Sequence, residues 1–127
     1  MIDSDRTYVV MGLLDTGSIA FAIGETIRAL GGRVVYTMQN EVLKKRYFDS
    51  SRELSDERRH ALEWRFCDVT VEDEVAELFS DLGPVAGVVH SIAYANPKTC
   101  LGDEFHTDAT EDIERSYRVS CVSLATV

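Results

Sequence analysis

Five residues of this chain stand where an α/β protein keeps its ligand chemistry: Gly12, Ser18, Gln39, Asp68 and Ser91. Gly12, Gln39, Asp68 and Ser91 each follow an apolar run directly, and all are polar or minimal. A glycine at such a point lets backbone approach a ligand with no Cβ in the way. Ser18 opens a helical pattern, so its hydroxyl can cap orphan N–H groups or meet a phosphate, and a helix N-terminus favours an anion. Alternatives stay open for each. A full G-x-G-x-x-G is absent, which leaves a plain strand–turn–helix possible at Gly12. Asp68 can equally be a surface acid capping the next helix, and Gln39 a solvated turn residue. His90 and His106 are the residues that could serve as acid–base groups, yet they read more simply as a strand-end residue and an exposed loop residue. Tyr94 and Lys98 have Tyr-x3-Lys spacing, but Pro97 lies between them in a loop, so the match is read as coincidence. Cys67, Cys100 and Cys121 are far apart and odd in number, which gives neither a disulfide framework nor a zinc pattern and points to a reducing cytoplasm.

The elements that must position these residues alternate. Four strands are expected at about Thr7–Met11, Arg33–Met38, Glu63–Cys67 and Val85–His90, the first two rich in β-branched residues and the last near-continuously apolar. The residues before Thr7 are expected to be a loose end. The first helix is expected over Ser18–Leu30, with Ile19, Ile23, Ile27 and Leu30 at helical spacing and Gly31-Gly32 as its stop. Ala20 and Gly24 are small and four apart, so this helix can lie close on a sheet. A second helix is expected over Asn40–Arg52, with a loop or short helix over Glu53–His60. A third runs from Val71 to Asp81, with Thr70 as its cap and Gly83-Pro84 as its break. A fourth begins at Thr107 or Thr110 and carries an apolar stripe of Ile113, Tyr117, Cys121 and Leu124. Strands alternating with helices imply βαβ units and a parallel sheet. Right-handed crossovers then favour strand order 3-2-1-4, half of a Rossmann-type, doubly wound fold. Residues 1–127 are read as a single dinucleotide-binding domain, incomplete in its sheet and truncated within the fourth helix.

Bulk properties narrow the partners. The chain has 127 residues, 45% hydrophobic and 28% charged, with a net charge of −9. That charge argues against nucleic acid or an anionic membrane as the main partner. No apolar stretch reaches the ~20 residues of a membrane span, and the acidic, weakly apolar opening leads us to expect no secretory signal.

The combination of Gly12 with Ser18-Ile19-Ala20, then Gln39-Asn40, Cys67-Asp68-Val69 and His90-Ser91-Ile92-Ala93 resembles the enoyl-acyl carrier protein reductases of bacterial fatty acid synthesis, a divergent group of short-chain dehydrogenases. The segments TYVVMG…SIAFAIG and HSIAYAN are especially close. The resemblance implies that Gly12, Ser18 and Ile19 line the pyrophosphate and ribose path of a nicotinamide cofactor. It puts Gln39 near the adenosine ribose, Asp68 and Val69 at the adenine, and Ser91, Ile92 and Ala93 along the cofactor toward the nicotinamide. Tyr94 and Ala95 would border the acyl-substrate pocket. The neutral Gln39-Asn40 followed by Glu41 favours NADH over NADPH, because a 2′-phosphate wants a cation just past strand two. Lys44, Lys45 and Arg46 lie a turn further on and could still reach in, but are read first as a solvated helix face. The family passes hydride from the cofactor to a trans-2-enoyl thioester and uses a Tyr-x6-Lys pair. No tyrosine here has a lysine at that spacing, so no catalytic residue is assigned. The expectation is the N-terminal, NAD(H)-binding portion of such a reductase, cytoplasmic and homo-oligomeric (a tetramer in the family, a dimer or other association for this piece), without turnover alone. A non-catalytic nucleotide-binding or assembly module left by truncation is the other reading.

Overall fold

A computed structural model describes residues 2–51, 53–101, 103 and 110–127. They fall into two compact units, residues 1–91 and 92–127, each treated by itself. Among the described residues the strands lie in the first unit: β1 (Thr7–Met11), β2 (Arg33–Met38), β3 (Glu63–Phe66) and β4 (Gly87–His90). They form one parallel sheet in the order β3-β2-β1-β4, as the crossover rule predicts. Register is set by Val9 opposite Val35 on one side and Val88 on the other, with Tyr36 opposite Trp64. Every residue of Tyr8–Met11 and Val34–Met38 is buried, so the two central strands read as unbroken apolar runs and not as alternation.

Helix α1 (Ile19–Ala29) packs on one face of this sheet, over Tyr8, Val10, Val34, Tyr36 and Met38. Its buried stripe is Ala20, Gly24 and Ile27, whereas Ile19 is 72% and Leu30 58% exposed. The apolar positions Ile19 and Leu30 therefore mark the helix but not its inner face. The small residues do, because the helix lies close enough that a Cβ on Gly24 would come within 2.2 Å of the Tyr36 hydroxyl. Pleating sends Val9, Met11, Val35 and Thr37 to the opposite face, and they too are buried. Helix α4 (Glu72–Leu82) buries Val75 and Leu78.

The N-terminal segment is anchored where a loose end was expected. The Asp3 N–H donates to the Tyr8 hydroxyl at 2.8 Å and the Asp5 N–H to the Gly31 carbonyl at 3.1 Å. The expected second helix stops early: α2 (Glu41–Leu43) passes into a π-helical turn, Lys44–Phe48. That turn delivers Phe48 into the core, edge-on to Trp64 with centroids 4.7 Å apart. The backbone beyond it is taken over by one side chain. Arg59, on α3 (Asp56–His60), donates to the carbonyls of Phe48, Asp49, Ser51 and Leu54 at 2.6–2.9 Å. A guanidinium fork can replace the helical N–H donors that would otherwise continue the ladder.

In the second unit α5 (Thr110–Tyr117) runs through a π-helical turn, Arg118–Val122, into α6 (Ser123–Thr126). Of the two expected start points, Thr110 is helical and Thr107 lies outside the described residues. Ile113, Tyr117 and Leu124 of the expected stripe are 51%, 61% and 60% exposed, and Cys121 is exposed. The loop ahead is sewn to the helix: Asp112 Oδ2 accepts from Asn96 Nδ2 at 2.9 Å and from the Thr99 hydroxyl. No helix among the described residues is long and apolar enough to cross a membrane.

Candidate functional site

The carboxyl ends of the four strands are built by local turn chemistry plus one cross-strand contact. β1 ends at Gly12, whose φ of 88° is a conformation that L side chains rarely adopt. Its N–H and that of Leu13 both donate to the Thr37 carbonyl, at 3.1 and 3.2 Å, which holds the exit of β1 against β2. The loop then folds on Asp15. The Asp15 carboxylate accepts from the Gly17 N–H at 2.9 Å, and its carbonyl accepts from the Ser18 N–H at 3.2 Å and the Ser18 hydroxyl at 2.7 Å. The Ser18 oxygen in turn accepts from the Phe21 N–H at 3.3 Å. Of the two roles open to Ser18, capping is thus realised, and its proton is committed to Asp15. The first-turn N–H groups of Ile19 and Ala20 have no intrahelical acceptor, as at any helix start.

Past β2, the Gln39 side-chain amide donates to Asp68 Oδ2 at 2.6 Å. This contact joins the ends of β2 and β3. The other Asp68 oxygen accepts from the Thr70 N–H at 2.9 Å and the Thr70 hydroxyl at 2.7 Å. Thr70 therefore serves the Asp68 turn, and α4 begins after Val71 without a side-chain cap. The Asp68 N–H donates to Glu74 Oε2 at 2.7 Å, a return contact from the helix it precedes. The carboxylate is consequently fixed in orientation at the sheet edge. Val69 is buried beside it at 5% exposure. Buried Cys67 has its thiol pushed up to about 11, first by desolvation, then by the negative charges of Glu74 and Asp68. A thiol so placed is inert at neutral pH. Ser91 closes the row, with its N–H on the Met11 carbonyl at 3.1 Å, one residue before Gly12.

Gly12, Gln39, Asp68 and Ser91 thus lie at or just past strand ends of the first unit, with Val69 following Asp68 and with Ser18 and Ile19 at the start of α1. Ile92, Ala93, Tyr94 and Ala95 continue the chain in the second. There the Tyr94 N–H donates to the Ser120 hydroxyl at 2.9 Å, and the Arg115 guanidinium lies 4.8 Å from the Tyr94 ring centroid. His90 ends β4, and His106 lies outside the described residues. Tyr94 and Lys98 are in a non-helical segment, and no described Cys, His, Asp or Glu residues gather as three in a metal-binding group.

The basic residues past β2 are engaged. Lys44 pairs with Asp49 at 2.7 Å and lies over the Trp64 ring; Lys45 pairs with Glu41 at 3.1 Å. Arg46 stacks on Tyr47. Sequence reasoning overlooked Asp15, Thr16, Glu53 and Glu74. The D-x-x-S spacing of Asp15 and Ser18 is a readable turn signal. No local signal announces Glu53, which takes the Thr16 hydroxyl from a distant part of the chain.

Comparison with known proteins identifies the family. A family model described as enoyl-(acyl carrier protein) reductase matches residues 12–127. An enoyl-[acyl-carrier-protein] reductase of Staphylococcus aureus, named for NADPH, is 31% identical over 97% of this chain and 48% of its own length. One of Neisseria meningitidis, named for NADH, is 30% identical over 94% of this chain and 45% of its own. A crystal structure of the Anaplasma phagocytophilum reductase in complex with NAD matches with a TM-score of 0.79 at 25% identity, covering 99% of this chain and 48% of that one. The chain thus spans about half the length of the relatives it matches. With its four parallel strands in the order 3-2-1-4 and a family match that begins at Gly12, the chain belongs to the enoyl-(acyl carrier protein) reductases.

Proposed function

We propose that this chain is the NAD(H)-binding portion of an enoyl-acyl carrier protein reductase, whose full activity is reduction of a trans-2-enoyl thioester in fatty acid elongation. The observation that carries the proposal is the edge of the sheet: a positive-φ glycine on β1 beside a Gln39–Asp68 contact spanning β2 and β3. Ligands of open α/β sheets bind beyond the carboxyl ends of the strands, where the order reverses, here between β1 and β4. The residues fit a dinucleotide. Gly12 leaves backbone approachable, and the first turn of α1 offers N–H groups and a positive dipole end to a pyrophosphate. Asp68, with Val69 beside it, offers a fixed acceptor and an apolar wall to an adenine, and Gln39 adjoins its ribose. Ser91, Ile92 and Ala93 would continue along the cofactor, with Tyr94 and Ala95 at the acyl substrate. The bound nicotinamide supplies the hydride; the residues of this chain bind and orient.

NADH is the favoured cofactor. Gln39, Asn40 and Glu41 offer no cation to a 2′-phosphate, and the Asn40 side-chain oxygen caps α2 by accepting from the Leu43 N–H at 2.9 Å. Lys44 and Lys45 are held by Asp49 and Glu41. With no Tyr-x6-Lys pair in the sequence, the 127-residue chain binds cofactor without turnover. In the whole enzyme we place it in a cytoplasmic homo-oligomer acting on acyl carrier protein. Fluorescence titration of the chain with NADH and NADPH tests this. Saturable NADH binding, weaker NADPH binding and loss of both in Asp68→Ala are expected. Absence of NADH binding refutes the cofactor reading; NADH oxidation driven by crotonyl thioester refutes the lack of turnover.

A further inference from the structure

The loop between β1 and α1 has another anion already seated on it. The Thr16 hydroxyl donates to Glu53 Oε2, and the Ser51 hydroxyl lies 3.4 Å from that of Thr16. Glu53 comes from the segment between the π-helical turn and α3, 37 residues on. It arrives there because Arg59 holds that segment by four carbonyls, Ser51 and Leu54 on either side of Glu53 among them. The contact is therefore presented by a braced loop. Within the β1–α1 loop the side-chain donors are spent: Ser18 donates to the Asp15 carbonyl and Thr16 to Glu53. Two carboxylates, Asp15 and Glu53, sit on the loop, and Glu53 has no ion-pair partner among the described residues.

We propose that Glu53 is a selectivity residue of the dinucleotide site: it occupies Thr16 and opposes, by charge, the pyrophosphate that the same loop receives. The inference rests on the cofactor reading above. A dinucleotide diphosphate approaching the first turn of α1 meets the Glu53 carboxylate on Thr16, three residues before Ile19, and like charges brought to about 4 Å repel even in water. Binding must either displace Glu53 from Thr16 or pay the repulsion. The neutral adenosine half feels neither effect. Glu53 thus lowers the loop's affinity for anions in general and leaves the chain relying on the adenine and ribose contacts at Asp68, Val69 and Gln39 for its hold.

The test compares wild type with Glu53→Gln by calorimetric titration with ADP, NADH and adenosine at low and at 0.5 M-scale salt, with Glu53→Ala as a second variant and circular dichroism as a check on folding. Glu53 is exposed, so both variants are expected to fold. Neutralisation should tighten ADP and NADH by about five- to tenfold at low salt. The gain should shrink at high salt, where the Debye length falls to a few ångströms. Adenosine affinity should not move. Equal ADP affinities in wild type and Glu53→Gln overturn the proposal while leaving the cofactor reading intact, as does an equal gain for adenosine. Weaker ADP binding in both variants also overturns it, and makes the contact a support of the loop. If neither wild type nor variant binds NADH or ADP, the cofactor reading itself falls and the proposal falls with it.

Discussion

The close approach of α1 to the sheet can be tested at Gly24. A Cβ built there lies 2.2, 2.4 and 2.5 Å from three atoms of the Tyr36 ring and hydroxyl. Tyr36 has nowhere to go: it is fully buried, stacked against Phe21 at 6.4 Å and tilted against Trp64 at 6.0 Å. Its hydroxyl is also directed at Glu25, 3.4 Å away, and burial together with that carboxylate raises the phenol above its usual range. Two effects compete in Gly24→Ala. Helix propensity favours alanine by about 1 kcal/mol. Overpacking a closed core costs about 1–3 kcal/mol, and a clash with three atoms of one immobile ring belongs at the upper end. The net loss is about 1–2 kcal/mol.

Urea unfolding followed by Trp64 fluorescence measures it. A partner substitution separates the two effects. In Gly24→Ala/Tyr36→Phe the hydroxyl clash is gone but two ring carbons remain inside 2.6 Å, so the double mutant should stay below Tyr36→Phe. In Gly24→Ala/Tyr36→Val the ring is gone, and alanine should become neutral or stabilising, a coupling of ~1 kcal/mol or more. A Gly24→Ala chain as stable as wild type would mean that α1 does not lie this close to β2.

Other consequences follow from single contacts. Gly12→Val forces a β-branched residue to a φ of 88° and should cost about 1–3 kcal/mol in urea unfolding while abolishing NADH binding. Arg59→Met strands the carbonyls of Phe48, Asp49, Ser51 and Leu54. It should cost about 2–3 kcal/mol, with Arg59→Lys failing to restore it because an ammonium cannot span four acceptors; thermal unfolding of the three chains checks this. Cys67 keeps its proton to about pH 11 when folded, against 9.0 ordinarily. The unfolded chain gives that proton up first, so this thiol's share of stability is present below pH 9 and is lost between about pH 9 and 11. Thiol labelling at pH 8 should reach exposed Cys121 first and buried Cys67 last; Cys67 labelling as fast as Cys121 refutes the burial.

What was legible in the sequence was short-range. The two central strands could be read because a strand covered on both faces must be apolar along its whole length, and the polar or minimal residue after each of the four strands marks where the sheet ends. Gly12, Gln39, Asp68 and Ser91 were found that way, and the sheet order followed from the handedness of crossovers. Boundaries failed where a distant side chain intervened. Asn40–Arg52 reads as one helix by periodicity, yet Arg59 captures the carbonyls from Phe48 onward and ends it. Thr70 has the composition of a cap, but Asp68 two residues earlier offers it a nearer acceptor and takes it. Ile19 and Leu30 fit the apolar period and are exposed, because the inner face of α1 is the stripe Ala20, Gly24 and Ile27, where Tyr36 leaves no room for a Cβ at position 24. The same asymmetry governs the candidate site. Its floor is a set of strand ends, each announced locally, whereas the Glu53 carboxylate on Thr16 comes from a distant segment whose carbonyls a single arginine holds. A relative that keeps the strand ends but lacks the Arg59 brace would therefore have the same cradle and a different appetite for anions, which is a difference no motif at Gly12 or Ser18 could reveal.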